Sequence, residues 1–460
     1  MTAVAVFDVG KTNVKLTIAR PDGALVETIS AANPVLAGPP YAHHDVGALE
    51  AWLIQGLRSL GARHAIEAVV ATGHGSGGVL VDEDGPVLPM VDYEQALPPE
   101  IEAAYAGMAG SFRERGSAIM LGASHLARQM LWLESHWPEA FARARAYLAG
   151  PQYWAWRLGG VMASEVTSLA AQSHLWCPAE ARPSVVAEQR GWLRLMPDLA
   201  PAWRCLGRLK PELTAATGLD PAVRIICGIH DSSANFYRYQ AAGLTDVTVV
   251  SSGTWIAAIS DGGAVPDEEG GGRCCNADVL GRPLPGVLAM AGREFAAVKG
   301  PGTGGADPAW LERLVATGTL ALPTFGSDDG LYPGTAGRGA IEGPLKDEAA
   351  ARGTLALLYC ALIADRCLDG TASATVVLDG SFARDPLYAA LIAALRPDRA
   401  VRVNLDHYGT ATGAALLAGH EARSGPAPLD LATTQPLSLP GLDAYRARWR
   451  DRANARRNPD

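Results

Sequence analysis

The feature that most constrains the fold is an order of hairpin, helix and buried strand that occurs twice along the chain. The first copy has a hairpin at 4–18, an apolar helical pattern at 49–60 and an apolar strand at 68–73. A second hairpin at 247–260 and a second strand that ends in glycine at 374–380 repeat this order. Two divergent copies of one unit predict a duplicated α/β domain.

The turn of the first hairpin is more polar than a plain connection requires. Asp8 ends the first strand, Gly10 frees backbone amides in the turn, and Lys15 lies on the second strand. The turn also carries Lys11, Thr12 and Asn13. A carboxylate can hold Mg²⁺, and amides and ammonium groups can meet phosphate oxygens. The tip therefore predicts either a polyphosphate site or an ordinary hairpin with an Asp-Gly type of turn.

Length and charge exclude one large class of partner. With 460 residues, 48% apolar residues and 51 glycines, the chain predicts two or three compact domains. Its 39 basic and 48 acidic residues give a net charge of −9, which argues against nucleic acid as a partner. The basic cluster at 446–457 has the spacing of one solvated helix end. A small-molecule partner is expected instead.

Cysteine usage and hydropathy indicate a cytoplasmic protein. The seven cysteines contain no CxxC pair, and free thiols in a reducing compartment are the simplest interpretation. The first residues enter a strand directly, with no charged and apolar leader before it. The most apolar helical run, 355–368, is interrupted by charge and is too short to span a bilayer. No membrane partner is expected.

A glycine-rich loop at 73–78 has the formal GxGxxG spacing of a dinucleotide fingerprint. That fingerprint needs a helix after the loop, whereas residues 79–87 predict a strand, a turn and another strand. Asp92 and Glu94 follow at a distance that would suit such a site, but a surface position is the stronger expectation for both. A nicotinamide-dependent dehydrogenase is therefore a weaker alternative than a loop whose backbone approaches a small ligand.

An acidic residue follows a third buried strand. Residues 223–229 are mostly apolar, and Asp231 stands where the next helix begins. Phosphoryl transfer to a hydroxyl needs a carboxylate that accepts the proton of the attacking group. Asp231 is the candidate general base, while an Asp at such a position can instead serve as the N-cap of its helix.

These motifs occur in the order of a known family. The chain resembles the FGGY carbohydrate kinases, of the actin, sugar kinase and Hsp70 superfamily, over essentially its whole length. Residues 8–15 are similar to the first phosphate motif of that family, and residues 228–234 to the segment that carries its catalytic Asp. Residues 251–255 resemble the second phosphate motif, 378–382 the adenosine segment, and 408–415 the small-residue helix near the C-terminus.

The resemblance implies a fold of two duplicated ribonuclease H-like α/β domains with a cleft between them. Residues 1–242 would form an N-terminal domain that holds the sugar, the catalytic base and the first phosphate hairpin. Residues 243–460 would form a C-terminal domain with the second phosphate motif and the adenosine site. Domains of this kind close on their substrates and thereby exclude water.

The resemblance also implies a role for each candidate residue. Asp231 would be the general base, Asp8 would organise Mg²⁺, and His74, Gly75 and Asp231 would contact the sugar. The residues that would bind the nucleotide are Asp8, Gly10, Lys11, Thr12, Asn13, Lys15, Ser252, Gly253, Thr254, Gly380 and Ser381. The implied cofactors are ATP and Mg²⁺, and the implied partners are a small-molecule sugar and ATP. A homodimer is one option for the assembly.

The expected reaction is ATP-dependent phosphorylation of a sugar hydroxyl, with Mg-ATP held between the two hairpins. The segments 73–78 and 251–255 look closest to the rhamnulokinase and fuculokinase branch, so the expected substrate is a ketose such as L-rhamnulose or L-fuculose. Residues 380–382 read Gly-Ser-Phe where many members have consecutive glycines, which leaves the base contacts open. The alternative is a nucleotide-binding regulatory member of the superfamily without kinase activity, which would not need Asp231.

Overall fold

The structure, a computed structural model, describes residues 2–301, 304–327, 330–406 and 409–457. The chain forms two compact units. The first unit contains residues 1–244, 275–283 and 408–429, and the second contains residues 245–274, 284–407 and 430–460. The predicted domain boundary after residue 242 lies close to the point after Leu244 at which the chain passes from the first unit to the second. Two later segments that were expected in the second domain belong to the first unit instead.

Strands and helices alternate along both units. The described strands are β1 Thr2–Val9, β2 Asn13–Ala19, β3 Leu25–Ala32, β4 Val35–Leu36, β5 His43–His44, β6 Ala65–Gly73, β7 Gly78–Val81, β8 Met90–Val91, β9 Ala146–Ala149, β10 Trp176–Cys177, β11 Arg182–Pro183, β12 Cys205–Arg208, β13 Arg224–His230, β14 Val247–Ser252, β15 Trp255–Ser260, β16 Arg273–Ala277, β17 Pro283–Met290, β18 Leu320–Leu322, β19 Ala340–Glu342, β20 Thr375–Gly380, β21 Ala400–Val403 and β22 Ala432–Thr433. The described α-helices are α1 Val46–Gly61, α2 Pro99–Met108, α3 Phe112–Arg115, α4 Leu126–His136, α5 Pro138–Arg143, α6 Gly150–Gly159, α7 Val166–Ala170, α8 Val185–Gln189, α9 Pro211–Thr217, α10 Asp231–Ala241, α11 Gly292–Lys299, α12 Pro308–Thr317, α13 Arg352–Leu368, α14 Pro386–Leu395, α15 Gly409–Leu417 and α16 Leu442–Asn454.

The first unit is built on a sheet with the strand order β12-β13-β6-β1-β2-β3. β1 and β2 form the predicted hairpin, in which Asp8 pairs with Lys15. β1 pairs in parallel with β6, and β6 in parallel with β13. Parallel strands end at the same edge of a sheet, so Val9, Gly73 and His230 come together there. This carboxyl edge of the first sheet collects the hairpin tip, the glycine-rich loop and Asp231.

The second unit repeats this design. Its sheet has the order β16-β17-β15-β14-β20-β21-β22. β14 and β15 form the second predicted hairpin, and β14 pairs in parallel with β20 so that Ser252 lies opposite Gly380. The parallel pairing of β20 with β21 continues the sheet. The predicted two-domain α/β fold, with one hairpin motif in each half, is confirmed.

Alternation along β1 places side chains on two separate cores. Phe7 is fully buried and meets Trp154 of α6 edge-on, with ring centroids 5.1 Å apart. Val6 points to the opposite face, where it packs in the cluster that contains Ala234 of α10 and Ala414 of α15. Each large apolar side chain buried in this way contributes about 1.5–3 kcal/mol. Helices on both faces thus hold β1 in place.

The small-residue helix α15 packs directly on α10. A Cβ at Gly413 would overlap the carbonyl oxygen of Ala234, so only glycine allows the two backbones to come this close. Ala411, Ala414 and Ala415 of α15 are also buried. The close approach explains why the segment from residue 409 joins the first unit. Tyr408, the first residue of the predicted motif, lies outside the described residues.

The spacing of the basic C-terminal cluster at 446–457 predicted a solvated helix end. This prediction is wrong, because arginines of the cluster pair with a buried acid. Asp365 of α13 is fully buried, and Arg446 of α16 donates to both of its carboxylate oxygens at 2.8 and 2.6 Å. Arg450 and Arg396 also contact this carboxylate, at 2.6 and 2.7 Å. A buried carboxylate needs such partners to remain charged. The cluster therefore fastens α16 to α13 within the second unit.

The cysteines carry free thiols. Cys205 is exposed, and the remaining six are buried.

Among the described residues, no helix has the length and apolar character needed to cross a membrane.

The contact between α10 and α15 gives a stability prediction. Gly413→Ala should lower the free energy of unfolding by about 1–3 kcal/mol, because the added methyl group overlaps the backbone of Ala234. Urea denaturation followed by tryptophan fluorescence measures the change. Gly107→Ala on α2 is the matched control, since no atom lies within 4 Å of its added Cβ, and it should be neutral or slightly stabilising. A Gly413→Ala protein as stable as the wild type would contradict the packing described.

Candidate active site

The tip of the first hairpin is held by hydrogen bonds and presents backbone amides without an acceptor among the described residues. The Gly10 amide donates to the Asn13 carbonyl at 3.0 Å, which closes the turn. Asn33, on the connection after β3, donates its side-chain amide to the Gly10 carbonyl at 2.9 Å and its backbone amide to the Thr12 carbonyl at 2.8 Å. Within the described chain, the backbone amides of Lys11 and Thr12 have no acceptor. Two free donors at a fixed tip are suited to phosphate oxygens.

Asp8 has an unusual carboxyl group. Burial raises its pKa to about 7; the charge of Asp231 also raises it, and the ammonium of Lys15 lowers it. Thr12, Asn13 and Lys15 are exposed beside it. Asp8 and Asp231 therefore lie close enough to repel each other, as expected for two acids that serve one reaction centre.

Asp231 is the first residue of α10, one position after the N-cap residue His230. Its side chain is 33% exposed, and its Oδ1 lies 3.1 Å from His230 Nε2. It accepts the backbone amide of Ser232 at 2.5 Å, whereas His230 makes no side-chain cap. The alternative that Asp231 is the N-cap is therefore wrong. Its carboxylate is partly open and has a histidine beside it.

His74 follows β6 at the same edge. Burial lowers its pKa to about 4, Asp231 opposes this shift, and neighbouring cationic groups, Lys11 among them, add to it. Its ring meets Tyr93 edge-on at a centroid distance of 5.4 Å, and its buried Nδ1 has no hydrogen-bond partner among the residues that the structure describes. His74 is therefore a neutral imidazole near Asp231 at neutral pH. Gly75 is buried and packs against Ala171.

The glycine-rich loop leads into β7, which begins at Gly78, and not into a helix. A dinucleotide-binding loop would open a helix whose N-terminus meets the pyrophosphate. The dehydrogenase alternative therefore lacks its structural context.

Lys11 has partners that sequence reasoning missed. Its ammonium forms an ion pair with Asp92, lies 3.5 Å from Glu94, and lies 4.8 Å from the centre of the Tyr93 ring. The expected surface position is wrong for Asp92, which is buried, and holds for Glu94. Asp92 and Lys11 are 81 positions apart in the chain, and their pairing was not predicted from the sequence.

In the second unit, the predicted Ser252 hydroxyl is already engaged in the fold. It donates to the Asp379 carbonyl at 2.8 Å and accepts the Phe382 amide at 3.2 Å. Gly380 has a φ of +87° and no room for a Cβ against Ser252, and the Ser381 amide donates to the Ser252 carbonyl at 2.6 Å. These bonds join the end of β14 to the end of β20.

The turn of the second hairpin leaves a smaller set of free groups. The Gly253 amide donates to the Trp255 carbonyl at 2.8 Å, and the Thr254 carbonyl accepts two amides. Thr254 is exposed, and its hydroxyl and its own amide have no partner in the part of the chain that the structure describes. Thr254 is thus the group of this turn best placed to meet a ligand.

The site and fold define a class of two-domain α/β proteins with paired hairpin motifs, and comparison with known proteins identifies the family. Residues 3–236 match the N-terminal domain of the FGGY family of carbohydrate kinases, and residues 244–426 match the C-terminal domain of carbohydrate kinase FGGY. The chain belongs to the FGGY family of carbohydrate kinases. The enzyme class predicted from the sequence, a carbohydrate kinase, is therefore confirmed.

Solved structures and a curated relative agree with this assignment. A carbohydrate kinase from Novosphingobium aromaticivorans is 29% identical, with a TM-score of 0.86 over 98% of both chains. A gluconate kinase from Lactobacillus acidophilus is 15% identical and shares the fold, with a TM-score of 0.81 over 99% of this chain and 98% of the other. Xylulose kinase from Bacillus subtilis is 26% identical over 138 residues, which cover 30% of this chain and 26% of the relative. That match spans about a quarter of the curated relative.

The charge coupling at the carboxyl edge gives a pH prediction. Affinity for Mg²⁺-ADP should fall as the pH drops through about 7, because protonated Asp8 cannot hold a cation. Asp231→Asn should move the midpoint of this pH dependence down, since it removes a charge that raises the Asp8 pKa. Lys15→Met should move the midpoint up, since it removes a charge that lowers the Asp8 pKa. Calorimetric titration from pH 5.5 to 9 measures the midpoints, and shifts in the same direction for both variants would contradict the arrangement.

Proposed function

We propose that this protein transfers the γ-phosphoryl group of ATP to a hydroxyl of a sugar, with Asp231 as the general base. The observation that carries the proposal is the position of Asp8, His74 and Asp231 at one carboxyl edge, where the charge of Asp231 raises the pKa of Asp8 and opposes the lowering of the pKa of His74. A metal-organising acid, a neutral hydrogen-bonding group and a partly open carboxylate are the groups that this reaction needs.

The proposed chemistry needs positioning and charge neutralisation more than covalent help. A new bond joins the sugar oxygen to the γ-phosphorus while the bond to the bridging oxygen of ADP breaks. The proton of the sugar hydroxyl passes to the Asp231 carboxylate. His230 Nε2, 3.1 Å from this carboxylate, would hold it in one orientation, and His74 would hydrogen-bond another hydroxyl of the sugar.

The residues present fit Mg²⁺ and a polyphosphate. Asp8 would hold the cation, which neutralises phosphate charge when bound. The free amides of Lys11 and Thr12, with the exposed side chains of Thr12, Asn13 and Lys15, would meet phosphate oxygens. Lys11 would contribute its amide, because its ammonium is already paired with Asp92.

The second hairpin would add phosphate contacts through Gly253 and Thr254. Ser252 would stabilise the turn rather than contact the phosphates, because its hydroxyl already donates a hydrogen bond to a carbonyl of β20. Gly380 and Ser381 would lie beside the adenosine. The Ser381 hydroxyl donates to the Ser252 carbonyl at 3.2 Å, so its contribution to base recognition would come from its free lone pairs.

The proposed substrate is a ketose. L-Rhamnulose and L-fuculose remain the first candidates from the sequence, and D-xylulose joins them because the matched relative is a xylulose kinase. A coupled assay of ADP release over a panel of ketoses, aldoses and polyols tests the proposal. Absence of turnover on every sugar, together with tight ATP binding, would favour the regulatory alternative. A cytoplasmic location and a homodimer remain predictions.

The proposed base gives a direct prediction for activity. Asp231→Asn should lower kcat by about 10²–10⁴-fold, the usual contribution of a general base, while ATP binding is retained. Steady-state kinetics and nucleotide titration measure the two effects. Asp22→Asn, at an exposed turn in the same unit, is the matched control and should keep wild-type turnover. Wild-type turnover in Asp231→Asn would remove this residue from the mechanism.

A further inference from the structure

The ion pair of Lys11 with Asp92 is held from behind by buried polar groups. His44 is buried, and its Nε2 lies 3.6 Å from Asp92 Oδ1. On its other side, His44 Nδ1 is hydrogen-bonded to Asn33 Oδ1 at 3.2 Å. Asn33 in turn holds the Gly10 carbonyl of the hairpin tip at 2.9 Å. These contacts lead from Lys11 through Asp92, His44 and Asn33 back to Gly10 in the same hairpin turn. They restrict the separation of Asp92 from Lys11.

The cluster lies beside the residues proposed to bind the sugar. Tyr93 contacts the Lys11 ammonium with its face and the His74 ring with its edge. The charge of Lys11 is also one of the influences that lower the pKa of His74. A sugar that reaches His74 and Asp231 would therefore experience the charges of Lys11 and its acidic partners.

The charges around this position are predominantly negative. Among the described residues, the Lys11 ammonium pairs with two carboxylates, those of Asp92 and Glu94, and the charge of Asp231 acts on the neighbouring His74. Burial raises the pKa of Asp92, but the neighbouring His44 and the Lys11 ammonium outweigh burial and lower this pKa to about 2, so Asp92 is charged at neutral pH. Lys11 alone would attract a carboxylate on a substrate. Asp92 already pairs with this ammonium, so a substrate carboxylate would have to compete with Asp92 for it.

We propose that the cluster of Lys11, Asp92 and Glu94 makes the sugar site selective for uncharged ketoses and polyols over sugar acids, an inference that rests on the proposed function. Asp92 would act as a specificity residue by occupying the cation that a sugar acid would need. A specificity of this kind arises from repulsion of the wrong substrate rather than from added contacts to the right one. Repulsion between the carboxylate of a sugar acid and one uncompensated negative charge of the cluster a few ångströms away would lower kcat/KM for the acid, relative to the ketose, by about 100-fold.

The first test compares matched substrates on the wild-type protein. D-Xylulose is paired with 2-keto-D-xylonate, and L-rhamnulose with 2-keto-L-rhamnonate, so that within each pair a carboxylate replaces only the C1 hydroxymethyl group. We expect kcat/KM for the better ketose to exceed that for its acid by about 100-fold. Equal values for a ketose and its acid would overturn the inference and leave the proposed function standing. Turnover of neither ketose nor acid would overturn the proposed function, and the inference would fall with it.

The second test releases Lys11. Asp92→Asn should narrow the ratio of ketose to acid by about tenfold, because the ammonium becomes available to a substrate carboxylate. Glu94→Gln, at an exposed position 3.5 Å from the ammonium, should shift the ratio in the same direction by about threefold and covers the case in which Asp92→Asn fails to fold. Glu83→Gln removes the same charge from a surface position paired with Arg145 and should leave the ratio unchanged. An unchanged ratio in both cluster variants, or an equal change in Glu83→Gln, would overturn the inference.

Discussion

Parallel pairing of β1 and β13 with β6 is the constraint on which the candidate site depends. It brings Asp8 and Asp231, more than two hundred residues apart in the chain, to one edge of one sheet. Burial raises the pKa of Asp8 to about 7, and repulsion by the charge of Asp231 adds to this shift. We propose that a cation and a phosphorylated ligand offset this repulsion when they bind.

The two hairpins use their polar residues differently. In the first, Asn33 holds the turn by hydrogen bonds, and the amides of Lys11 and Thr12 have no acceptor within the described part of the chain. In the second, the Ser252 hydroxyl forms a hydrogen bond that joins β14 to β20. The groups without a partner among the described residues are the hydroxyl and the amide of Thr254. A shared sequence pattern therefore predicts a shared backbone shape more reliably than it predicts which side chain meets a ligand.

Local signals were sufficient for the elements and for the position of the candidate base. Period-two and helical patterns predicted both hairpins, β6, β13 and the helix that begins at Asp231, and their order pointed to the family. The pairing of Lys11 with Asp92 could not be predicted, because it joins positions 81 residues apart through tertiary packing. The same holds for α15, which belongs to the first unit because Gly413 allows it to contact α10. The C-terminal arginines likewise owe their role to Asp365, a buried partner far away in sequence.

Hydrogen exchange of the full chain, with and without Mg²⁺ and a non-hydrolysable ATP analogue, tests the central claim most directly. The amides of Lys11, Thr12 and Thr254 lack acceptors among the described residues and should exchange rapidly in the free protein. The account predicts that the nucleotide slows exchange in peptides covering 10–14 and 251–255. Protection that is confined to the glycine-rich loop at 73–78, with both hairpin turns unchanged, would contradict it.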